Sequence, residues 1–390
     1  MQHTPTSTAD GSSTLQLTQF GETYHSRNGA YTEAMHIYIK NGLEHLFESV
    51  ANRSYAADNG SDAAANGSDT AANGSYAATN GSYAAANGSY AATNRSYAAA
   101  NRSNATFADT PASGNTAGPG WSPVCLNIFD VGLGTGLNCI LTWAWQQQLR
   151  QAGLPYPRIT YYGIEKYPIH ISEIEQFNYP TIIAQHTDFP PDKLAEIFHL
   201  MHSCPWEKDV VLPNFTVAGR SSTLSSPESG STGGDFILHK TCADITELGE
   251  EYYWEAGRHF WSGDTGRHSW SGDTERHSWS GDTGRHSLGG DTEKLPENAD
   301  KTGTAEHSGK GDAGIPAVVY YDTFSPATQP NLWDEAIFRN IAAGCTPGSQ
   351  LVTYCSKGTV KQALRSAGFT LERLPGPPGK RHILRGTIAP

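Results

Sequence analysis

Asn127-Ile-Phe-Asp-Val-Gly-Leu-Gly-Thr-Gly-Leu-Asn138 is the stretch whose reading decides the fold. Glycines stand at alternate positions, Gly132, Gly134 and Gly136. An apolar run, Val124 to Val131, leads into them, and a helix-like run, Leu137 to Leu149, leads away. Strand, glycine turn and helix in that order give a glycine motif chemical meaning. Residues without Cβ let the backbone approach a ligand and take φ > 0. The helix N-terminus beyond offers free N–H groups. The competing reading is a tight turn that binds nothing.

A dinucleotide site reads G-x-G-x-x-G. This chain reads G-x-G-x-G with Asp130 two residues before the first glycine, the pattern of S-adenosylmethionine (SAM) sites. Working outward, apolar strands alternate with helices. Arg158 to Ile164 reads as a strand ending at Glu165, Asp235 to Lys240 as another before Thr241-Cys-Ala-Asp244, and Ala317 to Tyr321 as a buried strand ending at Asp322. Phe177 to His202 reads as mostly helical with a break at Pro190-Pro191. Leu332 to Ala343 reads as a helix with Asp334 and Glu335 in its first turn. Gln350 to Cys355 is a strand, Lys357 to Ala367 a helix, and Phe369 to Leu374 with His382 to Gly386 the final strand pair. The expected class is α/β: a Rossmann-like, mostly parallel twisted sheet with helices on both faces. A small N-terminal appendage occupies 10–48, where Leu15 to Thr18 suggests a strand and Ala34 to Leu46 fits helix or strand.

Two tracts are not domain-like. A seven-residue repeat built on Asn-Gly-Ser-Tyr-Ala-Ala-Ala fills 52–104, inside a low-complexity insertion expected over 52–118. It is too poor in large apolar groups to offset ordering entropy. A nine-residue repeat, Arg-His-Ser-Trp-Ser-Gly-Asp-Thr-Gly/Glu, fills 258–292, inside an insertion at 258–312 of a main domain spanning 121–390. Its Trp and His residues could display a metal or aromatic array, but a duplicated surface insertion is the simpler reading.

Of the 390 residues the formal charge is −12, which argues mildly against a nucleic-acid partner. The distribution weakens that argument. From Leu351 onward Lys357, Lys361, Arg365, Arg373, Lys380, Arg381 and Arg385 face a single acid, Glu372. Six cysteines form no C-x-x-C. No apolar run approaches the ~20 residues of a membrane span, and the N-terminus has no basic and apolar leader. A reducing, cytoplasmic location without a membrane partner is expected. There is no P-loop and no G-x-S-x-G elbow. His199, His202 and Cys204 share one helical stretch, with no second cluster to complete a metal site.

In such sheets ligands bind at the carboxyl ends of the strands. Asp130, Glu165, Asp244 and Asp322 stand there in sequence order. Glu165, 29 residues after Gly136, is placed to accept from ribose hydroxyls. Asp244 could accept from an adenine amino group or could cap Ile245-Thr-Glu-Leu. Asp322-Thr-Phe-Ser-Pro326 puts a carboxylate, the Phe324 ring and a proline after a strand, as loops of amine methylases do to orient the target nitrogen.

With these pieces in hand, the chain resembles the tRNA 5-aminomethyl-2-thiouridine methyltransferases, the methyltransferase half of the bifunctional MnmC enzymes and the stand-alone MnmD type. The resemblance runs through Glu22-Thr-Tyr-His-Ser26 with Gly29 and Glu33, Asp130 to Asn138 with Trp143, Gly163 to Pro168, Ala243-Asp-Ile245, Tyr321 to Pro326 with Asn331 to Trp333, Thr353 to Ser356, and Pro375 to Arg385. It implies N-methylation by SAM of the aminomethyl group on a wobble uridine of tRNA. It implies that Tyr24, Glu33, Gly132, Gly134, Glu165 and Asp244 line the SAM site and that Asp322 faces the amine. A separate oxidoreductase acting upstream on the same uridine is a further expected partner, and the FAD oxidase of the bifunctional members is expected to be absent. The rival readings are a small-molecule SAM-dependent methyltransferase and a non-catalytic nucleotide-binding scaffold.

Overall fold

The computed structural model describes residues 3–17, 21–58, 124–218, 221–225, 235–248 and 316–389. In chain order, β1 (His3–Ser7) and β2 (Ser13–Leu17) form an antiparallel hairpin. A helical run follows: α1 (Ala30–Ala34), α2 (Met35–Glu44) wound with the wider i→i+5 pitch, and α3 (His45–Asp58). Next come β3 (Cys125–Val131), α4 (Leu137–Gln151), β4 (Arg158–Ile164), α5 (Ile171–Ile174), α6 (Tyr179–Ala184) and α7 (Pro191–Ser203). Short β5 (Asp209–Val211) and the β6 (Asn214–Ala218) and β7 (Ser221–Ser225) hairpin precede β8 (Phe236–Thr241). The chain then gives β9 (Ala317–Tyr321), α8 (Glu335–Ala343), β10 (Gln350–Thr353), α9 (Gly358–Ser366), β11 (Phe369–Pro375) and β12 (His382–Ile388).

The large sheet has the order β11-β12-β10-β9-β3-β4-β8-β5. Its centre, β10 to β8, is parallel, while β12, β11 and β5 add antiparallel edges. From β3 the chain steps outward through β4 to β8, then returns to place β9 on the other side of β3. The order therefore reverses between β3 and β9, and the crevice at their carboxyl ends is where such sheets hold ligands.

Period-two alternation sends β3 side chains to two cores. Leu126 and Ile128 pack with Ile37, Tyr38 and Leu43 of α2 and Ile140 and Trp143 of α4. Phe129 and Val131 pack on the opposite face with Phe338 and Ile341 of α8 and Val360 and Leu364 of α9. The N-terminal segment expected as an appendage adds no strand to this sheet, yet α2 is part of its first core. The seven-residue tract begins inside α3, which runs to Asp58; the rest of that tract and the whole nine-residue repeat lie outside the described residues.

The helix expected from Leu332 starts later for a local reason. Trp333 ends a separate 3₁₀ turn, Pro330–Trp333, and Asp334, extended at φ −72° and ψ 145°, restarts the chain as the N-cap of α8. No helix among the described residues is long and apolar enough to cross a membrane.

Candidate functional site

The glycine turn lies at the crevice. The N–H groups of Gly132 and Leu133 both donate to the Ile164 carbonyl at 3.0 Å, which pins the turn to the end of β4. Gly132 has φ +91°, and a Cβ there would stand 2.7 Å from the Asp322 carbonyl oxygen. At Gly134, φ +49°, a Cβ would stand 3.1 Å from the Tyr24 ring. The turn thus needs glycine for its own protein contacts, in addition to any ligand. Gly136 opens α4 from the left-handed region but is turned away from the cleft toward His202.

A cleft of about 490 Å³ opens over this turn. Of the residues singled out in the sequence, Tyr24, Glu33, Gly132, Gly134, Glu165, Asp244, Asp322 and Phe324 line it. Glu165 is oriented by two backbone donors: Gly134 N–H to Oε2 at 3.0 Å and Tyr167 N–H to Oε1 at 2.8 Å. Asp244 follows its capping reading and also lines the cleft. Its Oδ1 caps the 3₁₀ turn Ile245–Glu247 through the Thr246 N–H at 2.9 Å, and its Oδ2 is ion-paired with Lys166 at the cleft wall. Partial burial raises the Asp244 carboxyl, but the hydrogen bonds from Lys166 and Thr246 outweigh it and hold it below its ordinary value.

Asp130 does not belong to this lining, contrary to its sequence assignment. It is fully buried within β3, beneath the turn, and its Oδ2 accepts from Tyr161 Oη at 2.5 Å. It is one residue short of the end of a strand whose alternate side chains face the α4 side. Asp322, by contrast, is only partly buried and opens to the cleft. Its Oδ2 accepts from Asn138 Nδ2 at 3.0 Å. Burial pushes its carboxyl up from the ordinary value, tempered by the neighbouring Tyr38 and Asn138 side chains and by the charge of Lys380.

The loop after Asp322 is held from several sides. Tyr354 Oη donates to the Thr323 carbonyl at 2.8 Å, Trp333 Nε1 to the Phe324 carbonyl at 2.9 Å, and Ser325 Oγ to Glu22 Oε1 at 2.6 Å. Tyr24 and Phe324 meet edge to face with centroids 5.1 Å apart. Residues 21–26 therefore bridge the glycine turn and the loop after β9. His25 is held against Thr135 Oγ1 at 2.8 Å, and burial pushes its imidazole down to about 4, so it is neutral near pH 7.

Sequence reasoning missed Lys380 as a cleft residue. It was read as one of a basic C-terminal stretch able to meet phosphates, but it is ion-paired with Glu33 and lies 4.8 Å over the Tyr354 ring. Glu33 also accepts from Ser26 N–H at 2.8 Å. Arg385 is likewise engaged, with Glu372 at 2.6 Å, and is 8% exposed. Asn138, read only as the end of the motif, proves to be the donor to Asp322. His199 faces Glu175, His202 is buried against Gly136, and the Cys204 thiol donates to the Met201 carbonyl at 3.3 Å.

Comparison with known proteins adds the following. A family model described as S-adenosyl-L-methionine-dependent methyltransferase matches residues 312–389. The tRNA 5-methylaminomethyl-2-thiouridine biosynthesis bifunctional protein MnmC of Chromobacterium violaceum is 39% identical over 70 residues, 18% of this chain and 11% of that protein. The protein of the same name from Stutzerimonas stutzeri is 43% identical over 69 residues, 18% and 10% of the two chains. The matched stretch is thus about a tenth of the length of these relatives. Among solved structures, MNMC2 from Aquifex aeolicus is similar at a TM-score of 0.45 and 16% identity, over 100% of this chain and 72% of that one.

Proposed function

We propose, for a chain that belongs to the S-adenosyl-L-methionine-dependent methyltransferase family represented by the methyltransferase domain of MnmC, that it methylates the aminomethyl group of 5-aminomethyl-(2-thio)uridine at the wobble position of tRNA. The observation that carries this reading is the contact between the glycine turn and the Asp322 loop across one cleft, so tight that Gly132 has no room for a Cβ. A cradle for a nucleoside-bearing donor and a carboxylate suited to an amine are therefore neighbours.

The residues present fit SAM. An open glycine turn, an oriented carboxylate at Glu165, a second at Asp244 and the Tyr24 ring surround a cleft of about 490 Å³. In this reading Glu165 holds the ribose hydroxyls, Asp244 accepts from the adenine amino group, and Tyr24 and the Gly132–Gly134 backbone cover the remainder. SAM supplies an electrophilic methyl group on a sulfonium.

Asp322 orients the amine and Phe324 supplies a ring for the base. The attacking nitrogen must be neutral, and a carboxylate alone favours the charged ammonium. Asp322 therefore serves by fixing the nitrogen's direction and stabilising the positive charge that grows on it as the C–N bond forms. Lys380, in the same cleft, offsets part of the carboxylate's field and favours the neutral amine. The proton lost from the product ammonium passes to solvent at the cleft mouth.

The test is methyl transfer from labelled SAM to tRNA bearing 5-aminomethyl-uridine, read by mass spectrometry of its nucleosides. Methylaminomethyl-uridine should form, and the same tRNA lacking the aminomethyl group should stay unmodified. Equal turnover of free amines would instead favour a small-molecule methyltransferase. SAM binding without any transfer would favour the scaffold reading.

A further inference from the structure

The glycine turn is held unevenly. Gly132, Gly134 and Gly136 all take positive φ, and residues without Cβ are the easiest to move from a given shape. The first half of the turn is pinned to the end of β4 through the Ile164 carbonyl and the Glu165 carboxylate. Between Gly132 and Gly136 only Leu133 and Thr135 carry side chains. Leu133 is buried in the first core. Thr135, 1% exposed, stands between two glycines and is held by its hydroxyl: Oγ1 accepts from Tyr179 Oη at 3.1 Å and lies 2.8 Å from His25 Nε2.

Both partners reach the turn from elsewhere in the chain. Tyr179 opens α6 and is fully buried. His25 follows Tyr24 in the segment that bridges the cleft, and its backbone N–H donates to Thr14 Oγ1 of β2 at 3.0 Å. Asn178, directly before α6, accepts from the N–H and the hydroxyl of Ser13, each at 2.8 Å. The N-terminal hairpin and α6 thus form one support, and the Thr135 hydroxyl is where that support meets the turn.

Counting hydrogens along this row fixes the state of the ring. The phenol and the threonine hydroxyl have one hydrogen each. Among the described residues, neither hydroxyl has a partner outside the row. Tyr179 gives its hydrogen to Thr135. Thr135 must then give its own to His25, which requires a lone pair on Nε2 and places the ring hydrogen on Nδ1. The other neutral tautomer puts two donors on Thr135 Oγ1 and leaves the threonine hydrogen buried without an acceptor, which is costlier than losing both partners together. A charged ring fails in the same way, because both of its nitrogens donate.

We infer that His25 is a positioning residue for the cofactor: as the Nδ1–H tautomer it accepts from Thr135 at Nε2 and, together with Tyr179, holds the second half of the glycine turn in the shape that receives SAM. The ring acts through Thr135, so its loss shows in how tightly SAM is held. That consequence rests on SAM lying over Gly132–Gly134; the tautomer itself does not.

Nitrogen NMR on the full chain, with histidine labelled at both ring nitrogens, reads the tautomer directly. The ring signals that disappear in His25→Gln should belong to an imidazole unprotonated at Nε2 and protonated at Nδ1 near neutral pH, with and without SAM. A ring protonated at Nε2, or one averaged between the two tautomers, overturns the assignment.

Calorimetry with SAM tests the support. His25→Leu keeps the bulk but leaves the Thr135 hydrogen without an acceptor, and SAM affinity should fall by about tenfold. His25→Gln returns an acceptor at the place of Nε2 and should bind SAM within about threefold of the parent. His25→Asn, whose oxygen reaches only the place of Nδ1, should behave like the leucine variant. Rescue by glutamine and not by asparagine is a result that lost packing does not produce. Thr135→Val should lose at least as much as His25→Leu, and adding His25→Leu to it should cost no more than about twofold further, because the two changes remove one bond. Additive losses, or equal SAM affinity in the three His25 variants with their circular dichroism intact, overturn the role of His25. If the parent protein binds no SAM, the cofactor role falls with the site over the glycine turn, while the nitrogen signals still decide the tautomer.

Discussion

Asp322 stands where three demands meet: a donor behind it in Asn138, a cation beside it in Lys380 and an open cleft in front. Asp322→Ala removes both the charge and the acceptor. It should lower methyl transfer by about 10²-fold, the scale of one lost electrostatic stabiliser, with SAM affinity nearly unchanged in calorimetry. Asp322→Asn should fall between the two. Gly132→Ala tests the contact from the other side. Its Cβ would meet a backbone carbonyl at 2.7 Å with φ held at +91°, so neither partner can yield cheaply. We expect a loss of about 1–3 kcal/mol in thermal or denaturant unfolding, together with weaker SAM binding as the turn and the Asp322 loop are pushed apart. At this scale the sequence was legible wherever a residue's neighbours in the chain fix its position. Gly132, Gly134, Glu165 and Asp322 follow strands and therefore reach the crevice. Asp130 was misread because sequence order does not tell the lip of a strand from the layer beneath it. Lys380 was misread because its partner, Glu33, is 347 residues away in the chain.

The elements divide along the same physical line. The central parallel strands are buried on both faces and read as continuous apolar runs, which is why β3, β4, β8, β9 and β10 stood out. The strands β5 (Asp-Val-Val) and β7 (Ser-Ser-Thr-Leu-Ser) are short and carry little apolar pattern, so they did not. The run Ala34 to Leu46 stayed ambiguous because α2 winds with the wider pitch, which blurs the 3.6-residue period. That helix carries a testable cost. Glu44 accepts from Trp145 Nε1 at 3.0 Å, and burial pushes its carboxyl up to about 7 from an ordinary value of 4.5. The folded state therefore keeps this proton longer than the unfolded chain. Its contribution to stability is undiminished below about 4.5, falls as pH rises through about 7 and stays low above that. Glu44→Gln should flatten this dependence. The variant should gain on the parent between pH 5 and pH 8 by about 1–2 kcal/mol, less than the ~3 of the full shift because Glu44 keeps some solvent contact. Denaturant melts at the two pH values read this directly, and an equal difference at both would show that Glu44 titrates normally.

At the scale of the whole molecule an acidic chain, formal charge −12, is proposed to act on a polyanion. The first repeat beyond Asp58 and the whole of the second, both proposed as surface insertions, lie outside the described residues. Removing 60–103 and 259–291 should leave methyl transfer within about 1 kcal/mol of the parent, the range of changes away from a core. Loss of soluble protein would show that they contribute to packing. Binding of tRNA then falls to the remainder, where the C-terminal stretch is the basic part. The structure divides its cations. Lys380 is committed to Glu33 within the cleft and Arg385 to Glu372, whereas Lys357, Arg365, Arg373 and Arg381 are exposed. Of these exposed cations, Lys357, Arg373 and Arg381 are chosen to test contact with phosphates and counterion release. Neutralising them together as glutamines should weaken tRNA binding and flatten the slope of log K against log salt by roughly 2, at about 0.7–0.9 for each phosphate no longer neutralised. SAM affinity should not move, because none of the three lines the cleft. Lys380→Met should do the reverse: it removes the partner of Glu33 and a charge near Asp322, so kcat and its pH profile should shift while the salt slope stays the same. If the triple variant keeps the parent slope and Lys380→Met flattens it, the phosphates are met at the cleft mouth and the C-terminal face is only a solvated surface.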